Sequence, residues 1–108
     1  MAHEIFRTLP FPFPDHRFPP ELGAVVQRTV HEGKLPALSV IHSADNSWIV
    51  LDGVNDPNVE GAVLVDAMVH LVEADPTLAD MARLDAGNRA DRDEVGGKWQ
   101  VFRDAPLP

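Results

Sequence analysis

The apolar and polar positions divide the chain into short segments, and the clearest of these lies at its centre. Residues 37–52 hold two β-prone runs, 37–42 and 48–51, around the polar stretch 43–47, and predict a β-hairpin. In the first run Leu38, Val40 and His42 share one face, with Ala37, Ser39, Ile41 and Ser43 on the other. In the second run Trp48, Ile49, Val50 and Leu51 load both faces with large apolar groups, which predicts an interior strand. Asp45 and Asn46 suit the turn, because their short side chains bond nearby backbone and Asn tolerates positive φ.

Around this hairpin the remaining elements follow from spacing. Residues 10–20 carry five prolines interleaved with Phe11, Phe13 and Phe18. The prolines exclude a helix or central strand, and the phenylalanines predict an extended arm packed on the domain, with a free proline-rich docking peptide as the competing reading. Residues 23–27 read as a strand, 28–32 as a helical turn stopped by Gly33, and 53–61 as a loop rich in turn formers. Residues 62–65 predict a strand and Asp66 the cap of a helix to about Glu73, with an uninterrupted helix over 62–73 as the competing reading. Asp75-Pro76 is a helix start, with Leu78, Met81 and Ala82 as the apolar stripe of a helix to about Leu84. Residues 87–92 and 98–102 form a second predicted hairpin around Gly96-Gly97, and 103–108 a tail.

Together these elements predict one α+β domain over residues 1–108, with residues 1–22 as the arm. The expected sheet is antiparallel or mixed, of about five strands, with two short helices, 66–73 and 76–84, on one face.

Charge changes the picture more than composition does. The net charge is −8, and it resides entirely between residues 35 and 82, where eight acids occur without a single Lys or Arg. Such a field repels nucleic acid and anionic membrane and favours encounter with a basic protein surface; the alternative reading is a solvated face that keeps a small protein soluble. Asp45, Asp52, Asp56 and Glu60 are the candidate partner-binding residues. The absence of cysteine excludes disulfides, thiolate nucleophiles and cysteine-bound metal, and is compatible with a reducing cytoplasm. No run approaches the roughly 18 apolar residues of a membrane span.

Candidate chemistry is sparse. Of the five histidines, His42 adjoins Ser43, but adjacent strand residues point to opposite faces, so the two make no nucleophile–base pair. Asp66 and His70, four apart, share a helix face, and with His42 they are the one arrangement suggesting a metal site. The alternative to a binding protein is therefore a small metal-dependent hydrolase or other enzyme using His42 or His70. The acids of 53–61 do not follow the spacing of a calcium loop, and no cofactor is predicted. Trp48 and Trp99 read as core anchors.

The order of several short patterns is similar to that of a known group. The run Thr29-Val30-His31-Glu32-Gly33-Lys34-Leu35-Pro36, then Val40-Ile41-His42 with Asp45 before Trp48, then Asp75-Pro76-Thr77-Leu78 and the late Trp99, resemble small bacterial proteins of a domain-of-unknown-function family similar to polymorphic-toxin immunity proteins. The resemblance spans residues 25–100. It implies an α+β domain without established catalytic residues, and a non-enzymatic, immunity-like binding role.

Overall fold

A computed structural model describes residues 5–103. They form one mixed sheet of six strands, with two short α-helices and two 3₁₀ helices. The strands are β1 (Gly23–Gln27), β2 (Ser39–His42), β3 (Trp48–Leu51), β4 (Val63–Ala67), β5 (Asn88–Asp91) and β6 (Gln100–Arg103). α1 is Arg28–His31 and α2 is Met68–Ala74; the longer 3₁₀ helix, between α2 and β5, is Pro76–Arg83, and a shorter one, Pro14–His16, turns the arm where its prolines were expected to exclude a helix. The strand order is β4-β1-β3-β2-β5-β6; β1 and β3 run parallel, and every other neighbouring pair is antiparallel. The α+β class is as expected, with one strand more than the five anticipated.

The central hairpin is β2–β3, paired from Ser39↔Leu51 to His42↔Trp48, and both strands are interior because β1 and β5 flank them. Ala24, Val26, Val40, Trp48, Val50 and Ala90 face Met68, Leu71, Leu78, Met81 and Leu84 in one core. α2 and the 3₁₀ helix lie in the connection from edge strand β4 to β5, which crosses β1, β3 and β2 and covers that face.

The arm closes one end of this core. Phe13 and Phe18 are buried, Phe11 is partly buried, and all three rings stand within 6.4 Å of Trp48, which is fully buried. His42 stacks on the Trp48 indole, with ring centroids 3.9 Å apart and planes inclined by 12°. The proline spacing thus places apolar rings at the mouth of the sheet, where water would otherwise meet the indole.

Two helix boundaries differ from the sequence reading. Residues 62–73 are not an uninterrupted helix, because β4 pairs with β1 over five residues, from Gln27↔Val63 to Gly23↔Ala67. Asp66 is not a helix cap: it still pairs with Ala24 in the sheet, and α2 begins two residues later at Met68. Asp75 does cap the next helix, accepting from the Thr77 N–H, but the helix is 3₁₀ rather than α. Its anchor is Arg92, which donates to the Ala37 carbonyl, to Thr77 Oγ1 and to Asp75 Oδ2 at 2.7 Å. The Trp99 ring covers the same guanidinium at 4.3 Å. Trp99 therefore precedes β6 as a partly buried lid on Arg92, whereas Trp48 is the core anchor. Of the expected tail 103–108, Arg103 instead closes β6, paired with Asn88, and residues 104–108 lie outside the described residues.

Phe13, at 3% exposure, tests the arm's contribution. Phe13→Ala is expected to lower the unfolding free energy by about 3 kcal/mol in urea titrations, and to make native-state cleavage within residues 10–20 faster. Unchanged stability would mean that the arm does not complete the core.

Candidate functional site

At the end of the sheet where β1 and β3 finish, a buried carboxylate organises the loop 53–61. Asp52, 1% exposed, accepts hydrogen bonds from Thr29 Oγ1 at 2.6 Å, from the N–H groups of Val54 and Asn55 at 2.7 and 2.9 Å, and from Asn55 Nδ2 at 3.0 Å. Gln27, also buried, receives the Asp52 N–H on Oε1 and donates from Nε2 to the Asn55 carbonyl. Gly53 makes this possible by adopting φ 75°, a conformation that turns the following N–H groups back to the carboxylate and that a side chain would strain. At the far end of the loop Arg28 donates from its backbone to the Ala62 carbonyl and from Nε to the Gly61 carbonyl.

Burial by itself would raise the Asp52 pKa, but the hydrogen bonds from Thr29, Asn55 and Val54 outweigh it and hold the carboxyl below its ordinary value. The group is therefore a charge stabilised by neutral donors. Its stabilisation is present above the unfolded-state value of 3.8 and is lost as pH falls through the lower folded value.

What this base presents is an exposed loop carrying Val54, Asp56, Val59 and Glu60. Asp56 is itself ordered, accepting from the Asn58 N–H. A shallow groove lined by Arg28, Glu32, Asn55, Asp56, Val59 and Glu60 runs along its α1 side. On the sheet face opposite the helices, a cleft of about 450 Å³ lined by Ser39, Ile41, Leu51, Asn55, Pro57 and Arg89 adjoins the loop.

The four candidate acids are therefore not one patch. Asp56 and Glu60 share the loop. Asp52 is buried beneath it and has no surface to offer a partner, which corrects its assignment as a contact residue. Asp45 lies in the β2–β3 turn at the opposite end of the strands, bonded to Ser47 N–H and Oγ. Two further acids of the basic-free stretch are committed internally, Asp66 to two histidines and Asp75 to Arg92. Glu32, which lies just outside that stretch, joins Asp56 and Glu60 at the groove. The local signal for Asp52 is in the sequence: an Asp closing an apolar strand and followed by Gly53 and Asn55 is an Asx-turn pattern.

The histidines separate as well. His42 is fully buried, with Nδ1 2.6 Å from the Leu84 carbonyl and Nε2 2.7 Å from Asn46 Oδ1, so both nitrogens are occupied and neither faces a substrate. The Asn46 amide continues the link by donating to the Leu9 carbonyl in the arm. The structure does not bring His42 to Asp66. Instead His31 and His70 approach the two oxygens of Asp66 through their Nδ1 atoms, at 2.8 and 3.0 Å. Among the described residues no group of three or more His, Asp or Glu side chains has an arrangement that holds a metal ion. Burial would raise the Asp66 pKa, but bonds from His70, His31 and the Ala67 N–H lower it overall; the His70 pKa is raised by its bond to Asp66.

These features define the class: an α+β domain that displays a braced acidic loop at one end of a mixed sheet. Comparison with protein-family models, with curated proteins and with solved structures finds no match. No helix among the described residues is long and apolar enough to cross a membrane.

Two measurements check the site. Asp52→Ala strips an acceptor from four donors, and is expected to cost about 2–4 kcal/mol and to release the loop, seen as faster amide exchange at Val54 and Asn55. His70 is expected to titrate by NMR above the ordinary value of 6.5. Because its folded value is raised, the stability it contributes is complete below 6.5 and fades as pH rises through the folded value. The stability difference between the protein and His70→Gln is expected to shrink over that rise; a constant difference would show that Asp66 does not bind the protonated ring.

Proposed function

We propose that the protein is a non-enzymatic protein-binding domain that engages a basic protein surface through the loop 53–61. The observation that carries this reading is the contrast between the buried base of the loop, Asp52 and Gln27, and its exposed tip of Val54, Asp56, Val59 and Glu60. A recognition loop braced from beneath loses little freedom on binding, and so retains more of its contact energy as affinity. The paired valines supply desolvation and the two acids supply steering. A net charge of −8 favours a cationic partner and disfavours nucleic acid. In the immunity-like reading that partner is a basic toxin domain and the setting is the cytoplasm.

Binding partners captured at low salt from the protein's own source are expected to be basic and to be released as salt rises. The double variant Asp56→Lys, Glu60→Lys is expected to slow association with the captured partner by roughly tenfold at low salt. Asp45→Lys, at the other end of the strands, serves as the matched control and should bind normally. Equal loss in all of these variants would replace a local site with general charge attraction, and salt-independent binding would reject the acidic mechanism.

A further inference from the structure

Strand β4 forms one edge of the sheet, and its hydrogen-bonding groups can be assigned to two sides. The Ala62 carbonyl accepts from Arg28 N–H and the Met68 N–H donates to the Leu22 carbonyl, so the even-numbered backbone groups turn toward β1. Alternation turns those of Val63, Val65 and Ala67 outward. The outward Ala67 N–H is already taken by Asp66 Oδ1 at 2.8 Å. Among the described residues nothing pairs with the outward groups of Val63 and Val65, and their side chains are exposed at 36% and 49%.

Natural edge strands are blunted by Lys, Pro or a bulge. β4 has none of these: its sequence is Val-Leu-Val-Asp-Ala, and the acid is held between His31 and His70. From this we infer that β4 pairs antiparallel with β4 of a second copy of the chain, about a two-fold axis at Leu64, joining two sheets into one of twelve strands. Twofold pairing that keeps the helices of both copies on the same side matches residues of equal parity. Centring on Leu64 sets Val63 against Val65 of the second copy and uses the N–H and carbonyl of both valines. Centring on Val65 would instead require the Ala67 N–H that Asp66 occupies.

The register selects this occupant: about Leu64 the outward N–H and carbonyl groups of Val63 in one copy meet those of Val65 in the other, so the edge is complementary to itself. The opposite edge, β6, ends in Arg103 and exposes Val101 and Phe102; it is the competing route to a dimer.

The test uses the intact chain, which has no cysteine. In the inferred register Leu64 and its mate form a non-hydrogen-bonded pair, with Cα atoms about 4.5 Å apart, inside the range a disulfide spans. Leu64→Cys is expected to give a disulfide-linked dimer under mild oxidation while keeping its circular dichroism, and Val101→Cys to stay monomeric. By sedimentation equilibrium the unmodified chain is expected to dimerise reversibly. Val65→Lys, which adds a charge to an exposed position, should raise the dissociation constant roughly tenfold or more. A monomer at all concentrations, cross-linking through Val101→Cys instead, or a dimer indifferent to Val65→Lys would each overturn the inference.

Discussion

The Trp48 indole is the constraint on which the rest of the fold depends. It is fully buried in an interior strand, with His42 stacked on it and Phe11, Phe13 and Phe18 around it. Apart from His42 on β2, that aromatic wall comes from the proline-rich arm. The arm is thereby part of the core, and the His42–Asn46–Leu9 hydrogen bonds fix its path over the β2–β3 turn. The indole N–H has no hydrogen-bond partner among the described residues, a cost of about 1–3 kcal/mol that the burial of four rings has to offset.

The polar groups work at the other end of the sheet, where two buried hubs replace hydrophobic contact. Arg92 ties the start of the 3₁₀ helix to the chain entering β2 and carries Trp99 on its face. Asp52 does the same for the loop between β3 and β4. One is a cation paired with a carboxylate, the other an anion satisfied by hydroxyl and amide donors. Burying either is tolerable because its hydrogen-bonding capacity is met by fixed partners. The consequence for function is rigidity where the chain is most exposed.

This division also changes how the acidic middle of the chain is understood. Three of its eight acids are structural: Asp52 braces a loop, Asp66 bridges two histidines across α1 and α2, and Asp75 caps a helix and holds Arg92. Of the five that remain exposed, Asp45 lies at the β2–β3 turn, Glu73 on α2 and Asp80 on the 3₁₀ helix, so the uniform patch suggested by the charge count resolves into a smaller, better-ordered site at Asp56 and Glu60.

The local elements were legible along the chain. Alternation and turn residues placed the central hairpin, Asp75-Pro76 the start of a helix, and the interleaved phenylalanines an arm too apolar to leave in water, because each signal acts between residues close along the chain. Only the tertiary structure decided between strand and helix for residues 63–67, since the deciding fact is their pairing with β1, some forty residues upstream. It likewise decided the fate of each charged side chain. Asp52 and Asp45 look alike in a charge count, yet one is enclosed by Thr29 and Gln27 and the other stands at a turn. The choice of His31 over His42 as a neighbour of Asp66 follows from α1 packing near β4, a contact between segments 35 residues apart that no local pattern encodes. Burial and partnership are properties of the assembled surface, and they exist only once the sheet has brought distant segments together.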